Sequence, residues 1–273
     1  MKIGVFDSGY GGLTVLKEFL EQLPQYDYIY LGDNARTPYG TRSYETVYAY
    51  TLQAVKKLFE LDCQLIIIAC NTASAKALRT IQQNDLEKIA PNRRVLGVIR
   101  PSAEAIQDLT KTENIGILGT SGTINSKSYL LEINKLYPQI QVFQEACPMW
   151  VPLVENNEHE SKGADYFIKK NIDNLLIKNN KIDTIILGCT HYPLLINKIR
   201  KYTPQNINLI VQGKIIAKSL IDYLKRHPEI ETKLSKNKKR QFLTTENANL
   251  FDKKAKKFLK NCKKIKAKQI ILG

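Results

Sequence analysis

Two short segments of the chain follow nearly the same pattern, and they limit the folds that the chain can adopt. They are IIIACNTAS at residues 66–74 and IILGCTHYP at residues 185–193. In each one, aliphatic residues lead through a small residue to a cysteine and then to polar residues. An apolar run that stops in this way is typical of a buried parallel strand. Because open α/β sheets bind ligands at the carboxyl ends of their strands, Cys70 and Cys189 are expected to lie in a ligand crevice.

The rest of the chain alternates strand-like and helical patterns. Strands are predicted at residues 3–6, 28–31, 65–69, 95–99, 115–118, 140–143, 184–187 and 207–211. Amphipathic helices are predicted at residues 13–21, 43–61, 102–109, 126–136, 163–177, 215–224 and 249–262. Such alternation predicts an α/β fold with mostly parallel sheets flanked by helices.

The order of the motifs also repeats. GVFDSGYGG begins the first half and GILGTSGT begins the second. In each half a cysteine then follows a later predicted strand. This weak duplication predicts two similar, pseudo-symmetric domains with the active site in the cleft between them. We expect residues 1–98 plus 212–273 to form an N-terminal α/β domain with returning C-terminal helices. Residues 99–211 are expected to form the second α/β domain.

The net charge of the chain is concentrated near its C-terminus. The whole chain carries +15, but residues 225–273 contain 16 Lys and Arg against 4 Asp and Glu, which leaves only +3 for the rest. Lysines spread over most positions of a helix are typical of a solvated helix face. A nucleic-acid interface needs basic groups clustered on one face of the fold. A nucleic-acid partner is therefore not expected.

Location and redox state are also constrained by the sequence. The longest apolar runs are far shorter than the roughly 20 residues that a membrane helix needs. MKIGVFDSG at the N-terminus has no secretory pattern. We therefore expect a cytoplasmic protein that does not bind membranes. Five cysteines without a CxxC spacing favour reduced thiols over a disulfide framework or a zinc ribbon.

The two strand-end cysteines are candidates for chemistry. Free cysteines are among the most buried residues, so either one alone would more simply belong to the core. Two cysteines in matched contexts, each followed by hydroxyl or amide side chains, favour a functional pair. The start of a helix after each cysteine is expected to favour the thiolate. Two thiols that face each other across a substrate suit proton transfer on both faces of a carbon.

Further polar groups are predicted near the same crevice. Asp7 ends the first strand, where it either caps the next helix or orients a substrate ammonium and tunes a thiol. GTSGT at residues 119–123 offers backbone N–H groups and hydroxyls to a carboxylate. His191 lies two residues after Cys189, close enough to share a site with it. Glu155 by itself gives little indication of a functional role. No lysine context suggests a pyridoxal Schiff base and no spacing suggests a metal site, so a cofactor-free reaction is expected.

Several motifs match one family in the same order: GVFDSGYGGLTVL, LGDNARTPYG, ACNTAS, GT at residues 119–120, CPMWVPLVE and GCTHYPLL. With them the chain closely resembles the glutamate racemases of the cofactor-independent aspartate/glutamate racemase superfamily, from about residue 3 to about residue 259. His191 after Cys-Thr is similar to the glutamate branch. The resemblance implies an isomerase whose two α/β domains close over glutamate and which supplies D-glutamate for peptidoglycan. We also expect a homodimer.

The resemblance assigns roles to individual residues. Cys70 and Cys189 would be the catalytic thiols, with Asp7 assisting Cys70, and Glu155 and His191 assisting Cys189. The residues implied for substrate binding are Asp7, Ser8, Tyr39, Gly40, Asn71, Thr72, Thr120, Thr123, Thr190 and His191. Interconversion of L- and D-glutamate by two-cysteine proton transfer at Cα is the expected function. An aspartate or broad-specificity racemase is the alternative, and a nucleic-acid or partner-binding protein that acts through the basic segment is a third hypothesis.

The chain does not follow the family pattern everywhere. The differences are Arg100, Asn156-Asn157, Gln212-Gly213 and a lysine-rich tail after residue 259. None removes a catalytic group, and they concern interdomain contacts, dimer geometry and regulation. Because the tail holds no candidate site group, truncation after about Asn261 is expected to leave catalysis nearly unchanged.

Overall fold

The computed structural model describes residues 1–259 and 265–273, in which ten strands form two separate sheets. All strand pairs are parallel. The strands are β1 (Lys2–Asp7), β2 (Tyr28–Gly32), β3 (Cys63–Ile68), β4 (Arg94–Gly97), β5 (Asn114–Gly119), β6 (Gln141–Ala146), β7 (Thr184–Gly188), β8 (Asn208–Ile210), β9 (Arg240–Thr244) and β10 (Ala267–Gln269).

The two sheets share one strand order. The first sheet has the order β10-β9-β2-β1-β3-β4, and the second has the order β6-β5-β7-β8. The series β2-β1-β3-β4 therefore corresponds to β6-β5-β7-β8, with β1 equivalent to β5 and β3 to β7. This repeat confirms the predicted fold of two similar parallel α/β halves. It also places Cys70 and Cys189 just after equivalent strands, β3 and β7.

Helices connect the strands and cover the sheets. They are α1 (Leu13–Gln22), α2 (Tyr44–Glu60), α3 (Asn71–Lys76), α4 (Leu78–Thr80), α5 (Leu86–Ile89), α6 (Ile99–Glu104), α7 (Ser121–Asn125), α8 (Ser128–Leu136), α9 (Trp150–Glu155), α10 (Lys162–Lys178), α11 (Ile196–Tyr202), α12 (Gly213–Arg226), α13 (Pro228–Glu231) and α14 (Ala248–Ala255). A π-helix at Ile81–Asp85 and a 3-10 helix at Tyr192–Leu195 complete the set for the described residues.

The core lies on both faces of the first sheet. Val5 of β1 belongs to the same buried cluster as Leu16 of α1 and Leu220 of α12. The next residue, Phe6, points to the opposite face and shares a second cluster with Leu58 of α2. A strand buried on both faces explains why β1 and β3 are continuous apolar runs in the sequence. In the part of the chain that the structure describes, no helix is both long and apolar enough to cross a membrane.

All eight strands predicted from the sequence are present, with small shifts at their ends. The predicted helix at 102–109 is wrong in its position, because α6 begins at Ile99 and the chain turns after Glu104. Pro101 lies in the first turn of this helix, where a missing N–H costs no hydrogen bond. The sequence did not indicate β9 or β10, which are short and lie among lysines. Of the predicted helix 249–262, α14 forms the first part, and residues 260–262 lie outside the described residues.

The chain passes to the second sheet after β4 and returns after β8, where α12 packs against α1. A Cβ atom on Gly213 would lie 2.9 Å from Cγ of Glu18 and 3.4 Å from the carbonyl oxygen of Thr14. Glycine at this position therefore lets α12 begin directly against α1. The division into one domain of residues 1–98 plus 212–273 and another of residues 99–211 stays a prediction.

The last described segment completes the edge of the first sheet. The backbone N–H of Ala267 donates to Oδ1 of Asp252 at 2.9 Å, and that of Ile270 donates to the carbonyl oxygen of Thr244 at 2.8 Å. Ile270 is partly buried against the cluster that contains Leu243, whereas the neighbouring side chain Ile271 is 88% exposed. Residues 267–270 are thus docked on the body of the protein.

We expect Ile270→Ala to lower the free energy of unfolding by about 1–2 kcal/mol, because a partly buried side chain loses apolar contact. Ile271→Ala is the matched control and should leave this free energy unchanged. Urea unfolding of both variants measures the difference, and equal effects would show that this segment is not docked.

Truncation after Asn261 should in addition expose the edge of β9 and promote association. That it spares catalysis stays a prediction.

Candidate active site

A cavity of about 60 Å³ lies between the carboxyl ends of the two sheets. Most of the residues predicted for the site contribute to its wall. They are Ser8, Tyr39, Gly40, Cys70, Asn71, Thr72, Thr120, Cys189, Thr190 and His191. Asp7, Thr123 and Glu155 lie behind this wall and contact residues that form it. Because both halves of the chain contribute, the cavity exists only when the two sheets are held together.

Cys70 lies between the end of β3 and the start of α3. Its sulfur accepts a hydrogen bond from the backbone N–H of Ala73 at 3.4 Å and so caps the helix, and its thiol donates to Oγ of Ser8 at 3.4 Å. Burial and the nearby carboxylate of Asp7 raise the pKa of Cys70 to about 12, although the hydrogen bond from the N–H of Ala73 lowers it. The helix start acts on Cys70 in the expected direction, but burial and the charge of Asp7 outweigh its effect. Cys70 holds a proton at neutral pH.

Cys189 has a different set of neighbours. Its sulfur lies 3.9 Å from Nδ1 of His191, and Nε2 of His191 lies 2.7 Å from Oε1 of Glu155. Burial opposes charge on the imidazole, but the hydrogen bonds to Cys189 and Glu155 outweigh burial and raise the pKa of His191 well above its usual value. When it is protonated, the ring can donate to both partners. His191 is thus the hydrogen-bonding neighbour of Cys189, and Glu155 holds its ring in place.

Asp7 lies fully buried at the end of β1. Its carboxylate accepts a hydrogen bond from the backbone N–H of Gly9 at 2.9 Å and one from Oγ1 of Thr190, in the other half, at 3.3 Å. Burial raises the pKa of Asp7, while the charge of His191 and these hydrogen bonds act in the opposite direction. Asp7 is not the N-cap of α1, since Gly12 holds that position. Asp7 acts on Cys70 through its charge.

The glycines after Asp7 allow the backbone to pass close beneath the site. A Cβ atom on Gly11 would lie 2.2 Å from Oγ1 of Thr190 and 2.5 Å from Nδ1 of His191. Such distances are shorter than any normal contact, so a side chain there would displace the groups around Cys189. The YGG turn is explained by this crowding.

A group of threonine hydroxyls joins the two halves at the cavity wall. Oγ1 of Thr72, after β3, lies 2.8 Å from Oγ1 of Thr120 and 3.3 Å from that of Thr123. Next to them, the backbone N–H of Gly122 donates to the carbonyl oxygen of Gly40 at 2.7 Å. These bonds close the cleft above the cavity.

No described residue that lines the cavity is Lys or Arg. An anionic ligand would therefore be held by hydroxyls and by the first N–H groups of helices, which have no intrahelical partner. The hydroxyl of Tyr39 is engaged with Asp33, so Tyr39 presents its ring to the cavity. Within the described residues, no cluster of three His, Cys, Asp or Glu side chains is arranged to hold a metal ion. The expectation of a metal-free reaction stays a prediction.

The sequence did not single out every residue of the cavity wall. The additional residues are Thr37, Pro38, Thr41, Ser121, Pro148, Val151 and Pro152. All of them except Thr41, which directly follows Gly40, lie in the motifs LGDNARTPYG, GTSGT and CPMWVPLVE. Proline, valine and a loop threonine have no chemistry that distinguishes them from ordinary loop residues. Their position in or next to these motifs was the only signal that could have identified them.

We expect Asp7→Asn to lower the pKa of Cys70, because the variant keeps the shape of the side chain but removes the negative charge that opposes the thiolate. A pKa lower by one gives about tenfold more thiolate at neutral pH, and alkylation follows the thiolate. The pH dependence of iodoacetamide alkylation, followed on the Cys70 peptide by mass spectrometry, measures this change. Cys63 is the internal control, since Asp7 does not contribute to the raised pKa of its thiol. An unchanged or higher pKa of Cys70 would refute the electrostatic role of Asp7.

Comparison with known proteins agrees with this geometry. The family model for Asp/Glu/Hydantoin racemase matches residues 3–220. A glutamate racemase of Enterococcus faecalis is 41% identical over 276 residues, covering 99% of this chain and 96% of the relative. The crystal structure of a glutamate racemase isoform from Bacillus anthracis has a TM-score of 0.89 and 35% identity, covering 99% of this chain and 97% of that one.

A second crystal structure, a glutamate racemase from Francisella tularensis in complex with D-glutamate, has a TM-score of 0.86 and 33% identity, and again 99% of this chain and 97% of that chain are covered. The family model spans more than half of this chain, and the relatives are similar over nearly its whole length. The chain therefore belongs to the Asp/Glu/Hydantoin racemase family, and within that family it belongs with the glutamate racemases.

Proposed function

We propose that this protein interconverts L- and D-glutamate by cofactor-independent proton transfer at Cα, with Cys70 and Cys189 as the two bases. The observation that carries the proposal is the placement of both thiols, from equivalent strands of the two halves, on the wall of one cavity. The relatives named above are glutamate racemases, and one of them holds D-glutamate. Glutamate is therefore the proposed substrate.

A reaction that begins on one face of Cα needs one sulfur as the thiolate and the other as the thiol. Racemisation removes the Cα proton on one face and returns a proton on the other. By resemblance, Cys189 removes the proton of L-glutamate and Cys70 that of D-glutamate. The protonated Cys70 and the imidazolium beside Cys189 form the state that is ready for L-glutamate. After the turnover the proton has moved from Cys70 to the product, and the proton of the substrate lies on Cys189.

The remaining site residues support these two steps. We propose that His191 and Glu155 assist Cys189, and that Asp7 assists Cys70. The residues proposed to hold the carboxylates and the ammonium of the substrate are Asp7, Ser8, Tyr39, Gly40, Asn71, Thr72, Thr120, Thr123, Thr190 and His191. Of these, Asp7 and Thr123 would act from behind the wall, through Thr190 and Thr120. We further propose a cytoplasmic homodimer that supplies D-glutamate for peptidoglycan.

A circular-dichroism time course on pure L- and D-glutamate tests the function directly. Protein dialysed against EDTA and free of any cofactor absorbance band should bring both enantiomers to zero ellipticity. L- and D-aspartate, measured side by side, should react far more slowly. Equal rates with aspartate would favour a broad-specificity racemase, and activity that EDTA removes would contradict the metal-free scheme.

The sharpest prediction concerns the two thiols separately. Serine is a far weaker base than cysteine at neutral pH, so Cys70→Ser and Cys189→Ser should each abolish racemisation, with a loss of at least about 100-fold. A glutamate analogue with a leaving group on Cβ needs only the first proton transfer to eliminate. Cys70→Ser should therefore eliminate mainly from the L form, and Cys189→Ser mainly from the D form.

Cys63→Ser is the matched control for these variants. Cys63 is as buried as Cys70 and lies at the opposite end of the same strand, so this variant should racemise glutamate at close to the normal rate. The two-thiol assignment is wrong if both serine variants prefer the same enantiomer, or if either of them still racemises glutamate well.

A further inference from the structure

A buried polar cluster lies where the chain crosses between the two halves. Gln212 stands at the second crossing, just before α12, and Ser102 lies in α6 just after the first crossing. Asn71 is the first residue of α3, and Tyr129 belongs to α8. At 5%, Gln212 is the most exposed of these four residues. Four parts of the chain that are far apart in sequence therefore meet in one buried polar cluster.

The side-chain amide of Gln212 joins the other three residues. Its Nε2 donates to Oγ of Ser102 at 2.6 Å and to the hydroxyl of Tyr129 at 2.5 Å, and its Oε1 accepts from Nδ2 of Asn71 at 3.0 Å. The hydroxyl of Tyr129 then donates to Oδ1 of Asn71 at 2.6 Å. Asn71, Gln212 and Tyr129 thus form a closed ring of hydrogen bonds.

The ring leaves no spare hydrogen on the amide of Gln212. Both of its N–H groups donate hydrogen bonds. The hydroxyl of Ser102 in turn donates to the carbonyl oxygen of Val98 at 2.9 Å. Removing one partner of such a buried network leaves the others without hydrogen bonds, which costs more than the net gain from a single bond. The amide of Gln212 therefore fixes the side chain of Asn71 in one orientation.

We propose that Gln212 is a positioning residue for the Cys70 half of the site, an inference that rests on the function proposed above. Asn71 directly follows Cys70, and the two form the start of α3, so a displaced Asn71 moves the sulfur that caps this helix. The contacts of Cys189 are with His191, which is held by Glu155, and neither of these touches Gln212. The effect of Gln212 falls on Cys70 first, through Asn71, and reaches the Cys189 strand through Tyr129, which packs beside Gly188.

Racemisation rates alone cannot reveal this asymmetry. L- and D-glutamate have equal free energies in water, so the equilibrium constant is one and kcat/KM must be equal in both directions for every variant. Elimination from an analogue with a β leaving group has no such restriction, because each enantiomer reports the proton transfer to one thiol. The ratio of the D and L elimination rates is thus the readout that a purely structural role would leave unchanged.

We expect Gln212→Ala to lower elimination from the D analogue, which depends on Cys70, about tenfold more than elimination from the L analogue, because small misplacements of a reacting group cost large factors in rate. Asn171→Ala is the matched control. Asn171 is another buried amide, held by Glu145 and the carbonyl oxygen of Ala146 away from the cavity, and its loss should change both rates alike. Equal changes in both rates for a folded Gln212→Ala would overturn the proposal.

Gln212→Glu provides the test if the alanine variant does not fold. A protonated carboxyl can still donate to the cluster, whereas a carboxylate cannot, so the D to L ratio should be close to that of the natural chain at low pH and fall as the pH rises. A ratio that does not change with pH would also overturn the proposal. Failure of the natural chain to racemise glutamate would instead reject the proposed function, so the two outcomes are distinguishable.

Discussion

The burial of several ionisable groups around one small cavity is the constraint on which the rest of the site depends. Asp7, Cys70, Cys189 and His191 are each no more than 6% exposed, and water does not screen their charges. In such surroundings each charge strongly affects its neighbours, because the local dielectric is low. The raised pKa of Cys70 follows from this burial and from the charge of Asp7, whereas the raised pKa of His191 follows from its hydrogen bonds to Cys189 and Glu155, which outweigh burial. The two thiols therefore have different electrostatic surroundings although they lie after equivalent strands.

The same constraint explains how the two halves are joined. A cavity formed at the ends of two separate sheets stays dry only if the cleft closes tightly. Small residues provide the close approach, as between Gly122 and Gly40, and the hydroxyls of Thr72 and Thr120 bond directly across the cleft. Asp7 reaches Thr190 of the other half, which couples a charged group of one domain to the cysteine strand of the other. The contacts that close the cleft therefore also hold the residues that set the pKa values.

Much of this arrangement could be predicted from the sequence, since buried parallel strands leave continuous apolar runs. From such runs all eight strands of the duplicated core could be predicted. The polar residues at the ends of the runs predicted most of the cavity wall. β9 and β10 were missed because their few apolar residues lie among lysines. The helix start beside Cys70 suggested a thiolate, but burial and the charge of Asp7 reverse that tendency. Whether burial and charge outweigh the helix start depends on distances between groups that are far apart in the sequence. No local sequence pattern contains these distances.

The strand order is duplicated between the two halves, but the residues around the two thiols are not. Strand order repeats between the halves, so the two sulfurs are placed by the same local geometry, a strand end followed by a short helix. The supporting residues do not repeat: Asp7 is the last residue of β1, whereas Gly119, which has no side chain, is the last residue of the equivalent strand β5. A reaction between two enantiomers needs a base on each face of the carbon, but it does not need identical bases. A pseudo-symmetric fold can therefore supply the two positions while each thiol keeps its own set of neighbours.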